Sequence, residues 1–129
     1  MPRIIHFEIQ AEDPARAMKF YTEMFGWKYN QFGTDEYWFV RTDDADKMAG
    51  INGAIMRRRG PPPVSGAPVN GYVNTIQVEN LDELVAKITT LGGSIAFPKT
   101  AVPTVGWLCY CKDTEGNIFG LMQEDKEAK

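Results

Sequence analysis

The sequence predicts an α+β fold made of two tandem βαβββ units. Residues 4–27 recur at residues 71–94 with a constant offset of 67, as from Ile9 to Ile76. Each copy opens on an alternation of period two, the pattern of a half-buried strand. Each alternation then runs into a helix-start signal, Asp13-Pro14 in the first copy and Asn80 with Glu83 in the second. A long internal repeat of this kind is one supersecondary unit written twice. His6 maps to Val73, Glu8 to Thr75, Gln10 to Gln77, Asp13 to Asn80 and Gly26 to Gly93. At the far end of the copies Ile51 and Gly53 map to Ile118 and Gly120.

The elements follow in order. Residues 3–11 read as a strand. Asp13 then supplies an N-cap side chain and Pro14 a preorganised first helical residue. Ala17, Met18, Tyr21, Met24 and Phe25 recur at helical spacing, and Gly26 stops the helix. Trp27–Phe32, Glu36–Thr42 and Ile51–Arg57 are the next three strands. Arg58 to Gly71 contains Pro61-Pro62-Pro63 and reads as a linker. Tyr72–Val78 is a strand, and Asn80 to Glu83 makes a capping-box-like start. Leu81, Leu84, Val85, Ile88 and Leu91 line one face of the helix, which Gly92-Gly93 ends. Strands follow at Ser94–Phe97, Gly106–Lys112 and Asn117–Glu124, the last two joined by the turn Asp113-Thr114-Glu115-Gly116. The whole is expected to be a single domain over 1–129, with units at 2–57 and 71–125 and a linker at 58–70.

At 129 residues, 43% hydrophobic and 24% charged, the chain can build one sizeable core. A net charge of −3 gives no reason to expect nucleic acid or an anionic membrane as partner. No apolar run is long enough to span a bilayer, and Met1-Pro2-Arg3-Ile4 lacks the build of a secretory signal. Cys109 and Cys111, one residue apart, read as free thiols in a reducing, cytoplasmic setting.

The wording of the repeat resembles the vicinal oxygen chelate superfamily, which includes glyoxalase I, bleomycin-resistance proteins and extradiol dioxygenases. The resemblance rests on His6-Phe7-Glu8-Ile9 with Asp13, on Phe20-Tyr21 and on Phe25-Gly26-Trp27. In the second half it rests on Val78-Glu79-Asn80-Leu81-Asp82, Leu91-Gly92-Gly93 and Asp113-Thr114-Glu115-Gly116-Asn117. It implies that the units form a curved eight-stranded mixed sheet with helices outside and a ligand on the concave face. It also implies ligand positions for a divalent ion on the first and last strand of each unit. Carried over, these positions are His6, Val73, Gly53 and Gly120, of which only His6 can ligate. A homodimer is plausible by the same resemblance.

The residues themselves offer a candidate site. Alternation puts His6, Glu8 and Gln10 on one face and Ile5, Phe7 and Ile9 on the other. Thr75 and Gln77 repeat that polar face. A few placed polar groups in an apolar cleft suit a small-molecule site, and a polar network that only fixes the pairing of the halves suits the same residues. His6 reads either as a pocket base or hydrogen-bond donor, or as a structural histidine. Trp107, Cys109 and Cys111 share a strand face. If Lys112 pairs with Asn117, Cys109 lies across from Gly120 and Trp107 across from Met122, on the concave face. Cys109 is then a conceivable nucleophile or an inert buried thiol. Trp38 faces opposite to Tyr37 and Phe39, so one side packs the core and the other stacks a flat ligand. Arg57-Arg58-Arg59 reads as a solvated linker or an anion clamp.

The expected ligand-binding set is therefore His6, Glu8, Trp38, Thr75, Gln77, Trp107 and Cys109, with no metal and no cofactor. The function expected is glyoxalase/bleomycin-resistance-like binding of a small molecule. The alternatives are a metal-dependent lyase or dioxygenase of the glyoxalase kind and a noncatalytic interaction module.

Overall fold

The computed structural model describes all 129 residues, and the chain divides into two compact units, Met1–Pro62 and Pro63–Lys129. The first holds β1 (Glu8–Ala11), α1 (Pro14–Phe25), β2 (Lys28–Gln31), β3 (Tyr37–Arg41) and β4 (Gly53–Arg57). The second holds β5 (Asn74–Gln77), α2 (Leu81–Lys87), β6 (Ser94–Val102), β7 (Gly106–Lys112) and β8 (Ile118–Glu124). Each unit is βαβββ, and the eight strands form two four-stranded mixed sheets, ordered β1-β4-β3-β2 and β5-β8-β7-β6. The first strand of each unit runs parallel to the last, and the remaining pairs are antiparallel. No helix is long and apolar enough to cross a membrane.

The helix-start chemistry acts as the sequence predicts. The Asp13 carboxylate accepts from Arg16 N at 3.1 Å, and the Asn80 amide oxygen accepts from Glu83 N at the same distance. Each satisfies a backbone N–H that the first helical turn leaves without a partner. Gly26 ends α1 at φ 75°, a left-handed conformation that costs a side-chain-bearing residue more than it costs glycine. Helix α2 is shorter than its apolar stripe, ending at Lys87, and single turns carry the chain to Gly92. Leu81 and Ile88 are fully buried at its two ends.

In the first unit the core lies between α1 and one face of the sheet. Ile9, Val40 and Ile55 come from β1, β3 and β4, and Ala17, Phe20, Tyr21 and Met24 from α1. Tyr21 stacks on Trp27 with ring centroids 5.0 Å apart and planes 13° off parallel. Tyr29 enters from β2 and donates to the Met18 carbonyl at 3.1 Å; burial pushes its phenol up to about 12. In the second unit Leu81, Ile88, Cys109, Cys111, Phe119 and Leu121 form the core.

Strand lengths depart from expectation at the edges. β1 and β5 are each four residues long, so residues 3–7 and 72–73 lie outside the strands predicted for them. Both are edge strands with only one neighbour, and the chain ahead of β1 is exposed at Ile4 and Ile5. β6 runs past the predicted Phe97 to Val102, with register irregularities between Ile95 and Phe97 and between Phe97 and Thr100.

The N-caps give a direct test. Asp13→Ala should lower unfolding free energy by about 1 kcal/mol, read as a lower urea midpoint at unchanged slope.

Candidate functional site

Sheet register decides which side chains share a face. In the first sheet Glu8 pairs with Ala54, Ala54 with Phe39 and Phe39 with Asn30, so these four stand on one face with Gln10, Met56 and Tyr37. The opposite face carries Ile9, Ile55, Trp38, Val40 and Tyr29, and this is the face α1 covers. In the second sheet Thr75 pairs with Gly120 and Gly120 with Tyr110, so these share a face with Gln77, Met122 and Leu108. Ile76, Leu121, Cys109, Cys111 and Trp107 point the other way, with Leu121, Cys109 and Cys111 buried in the core and Ile76 and Trp107 half-buried.

That register corrects part of the expected site. The hairpin after β7 closes by Asp113 N donating to the Asn117 carbonyl, not by pairing Lys112 with Asn117. The shift is one residue, and one residue flips every side chain to the other face. Cys109 therefore lies across from Leu121, and Trp107 from Gln123. Cys109 is 0% exposed, its Sγ 3.3 Å from the Phe97 carbonyl and 3.9 Å from Cys111 Sγ. Burial pushes both thiols up, Cys111 to about 12, away from the thiolate a nucleophile needs. Trp107 donates from Nε1 to Asp125 at 3.0 Å, with Lys99 Nζ 4.9 Å above its ring. Trp38 faces α1. These three side chains stand on helix-covered faces, whereas His6 and Glu8 keep the open side of the first sheet and Thr75 and Gln77 that of the second. The arginine run is no anion clamp. Arg57 pairs with Glu36 at 2.7 Å and Arg58 with Glu12, so two of its three guanidiniums already hold carboxylates.

Within the first unit the structure adds to the expected binding set a residue outside it, Tyr37. Its hydroxyl donates to Glu8 Oε2 at 2.8 Å and lies 2.8 Å from His6 Nε2, with His6 and Glu8 3.8 Å apart. A phenol has one proton. Given to the carboxylate, it leaves the oxygen as acceptor toward His6, so Nε2 carries a proton, and in the neutral imidazole Nδ1 then keeps the lone pair. Burial, then the hydrogen bond and charge of Glu8, push the Tyr37 phenol up to about 12, so it remains a donor throughout the neutral range. The chain Glu8–Tyr37–His6 is open to solvent at both ends, the side chains of His6 and Glu8 being 41% and 45% exposed. Tyr37 continues edge-to-face onto Phe39 (5.5 Å), and Phe39 onto Phe32 (5.7 Å). The signal was present in the alternation Tyr37-Trp38-Phe39-Val40. Once Val40 is known to be core, Tyr37 and Phe39 must share the outward face.

The sequence model of the Glyoxalase/Bleomycin resistance protein/Dioxygenase superfamily matches residues 3–121. The chain belongs to that superfamily. It is 30% identical over 122 residues to CFP32 of Mycobacterium bovis, a protein provisionally named a glyoxylase, and equally to its Mycobacterium tuberculosis counterpart. The match takes in 92% of this chain and 44% of either relative, so the chain spans less than half their length. Among solved structures, a glyoxalase family protein of Bacillus cereus aligns with TM-score 0.73 at 22% identity, covering 96% of this chain and 95% of its own. The fosfomycin resistance protein FosX of Listeria monocytogenes gives 0.69 at 18%, covering 97% and 95%. Glyoxalase I of Leishmania major gives 0.66 at 23%, covering 96% and 88%. At these identities the structural likenesses speak to the fold.

The residues present do not fit the divalent ion that the superfamily implies. Val73 offers no lone pair, and no three His, Cys, Asp or Glu side chains gather as a metal-binding group. A Cβ on Gly53 would stand 2.5 Å from the Phe7 carbonyl oxygen and 2.6 Å from its ring Cγ. The side chain beside Glu8 is instead that of Ala54, itself buried, so the offset to Gly120 drops by one in the last strand. A Cβ on Gly120 would come 2.9 Å from Thr75 Oγ1.

The buried thiols yield a measurable consequence. In the folded protein both cysteines should resist a disulfide-exchange reagent at neutral pH, and denaturant should release two equivalents. Rapid reaction of either thiol in the native state would place it outside the core.

Proposed function

We propose that this chain binds a small organic molecule on the open face of its first sheet, with His6, Glu8 and Tyr37 as the polar anchor and without a protein-bound metal. The observation that carries the reading is the hydrogen-bonded Glu8–Tyr37–His6 chain standing in solvent beside exposed aromatic rings. Groups ordered by one another, yet open on their outer sides, suit the few convergent polar contacts of a ligand site. Membership in a superfamily that includes resistance proteins and glyoxalases is compatible with binding alone or with chemistry on the bound molecule. The imidazole Nδ1 would then be the acceptor for a ligand proton.

The test pairs stability with binding. His6 is solvent-exposed, so His6→Ala leaves no sealed polar group behind and should cost well under the roughly 1–3 kcal/mol of a buried unpaired partner. The same change should abolish ligand-induced shifts in a small-molecule screen. Chelator should alter neither the melting temperature nor ligand binding, and elemental analysis should find less than one metal per chain. A tightly held stoichiometric divalent ion, or a stability loss for His6→Ala with no effect on any ligand, would count against the reading.

A further inference from the structure

The outward-facing groups of the Glu8–Tyr37–His6 chain have one polarity. Tyr37 spends its proton on Glu8 Oε2, which leaves Glu8 Oε1 as a bare carboxylate oxygen. The same bond makes Nε2 of His6 the donor toward Tyr37, and in the neutral imidazole Nδ1 is then an acceptor. With His6 neutral, both free ends accept. Next to them the Tyr37, Phe39 and Phe32 rings form a continuous edge-to-face series, with Phe39 40% and Phe32 56% exposed. Exposed aromatic rings in contact are an apolar surface that water solvates poorly, and ring faces attract flat and cationic groups.

We propose that this face selects planar aromatic ligands that bring N–H donors, of amidine or amino-heterocycle chemistry, and rejects carboxylates, with Tyr37 as the positioning residue that fixes the acceptor polarity of His6. This rests on reading the face as a ligand surface. An amidine offers two donors and a positive charge to two acceptors, one of them negative. A carboxylate offers only further acceptors and meets the charge of Glu8. The aromatic ring supplies the area that stacks on Phe39.

Three simple probes separate these contributions: benzamidine, benzoate with the same ring and opposite polarity, and acetamidine with the same donors and no ring. Binding is followed by NMR, where the one histidine gives a single imidazole to watch. Benzamidine should move the His6 and Tyr37 ring signals and bind about tenfold more tightly than benzoate or acetamidine. Tyr37→Phe, which keeps the ring, should erase the preference over benzoate. Phe39→Leu, which keeps the bulk, should erase the preference over acetamidine. Benzoate binding as well as benzamidine, or benzamidine binding unchanged in both variants, would overturn the proposal. If benzamidine is silent while other compounds move the same signals, this selectivity falls and the small-molecule reading stands. If no compound moves them, both fall.

Discussion

The parallel pairing of first strand with last sets the rest of each unit. In the first unit, Ile9 beside Ile55 places two branched side chains under α1, and by alternation that puts Glu8 and Gln10 on the other face. In the second, Ile76 beside Leu121 does the same for Thr75 and Gln77. The antiparallel neighbours then have no freedom. Trp38 must join Ile55, and Cys109 must join Leu121, because a ladder carries side-chain direction from strand to strand. A slip of one residue would bury Glu8 and expose Ile9, a loss of apolar burial and an unpaired charge at once. The register is thus held by the core, and the open face is what the core leaves over.

What is left over differs between the units. Around Glu8 the first sheet carries ionisable groups ordered by one phenol. Around Thr75 the second sheet carries Leu108, Tyr110 and Met122, and the close approach of Thr75 Oγ1 to Gly120 uses the space a side chain would fill. Two copies of one topology therefore present unlike chemistry, and the directional groups belong to the first.

Much of this was legible in the sequence where the signal is local. The caps at Asp13 and Asn80, the stop at Gly26 and the βαβββ order follow from side chains that hydrogen-bond within a few residues of themselves. What was not legible is register, because it is a sum over a whole ladder and over the turn that closes it. At Asp113–Asn117 the Asp113 side chain accepts from Glu115 N, Asn117 N and Asn117 Nδ2. That net draws Asp113 and Asn117 together, so the closing pair falls one residue later on the β7 side than a four-residue turn would put it, and three residues form the turn. Trp107 and Cys109 were assigned to the wrong face for that reason alone.

A separate one-residue difference, in the length of chain between first and last strand, explains why the repeat misleads in the last strand. Gly53 and Gly120 align by letter, but Glu8 stands beside Ala54 and Thr75 beside Gly120. Gly53 is glycine because the backbone and ring of Phe7 pass within contact distance of its missing Cβ, which has nothing to do with ligand access. Sequence equivalence between duplicated units holds while both keep the same number of residues between paired strands. Once one unit gains or loses a residue in a connection, the core re-forms its own pairing and the letters no longer mark the same place in the sheet. Site residues in such a fold follow from the pairing of buried side chains first, and from the alignment of the copies only where the two agree.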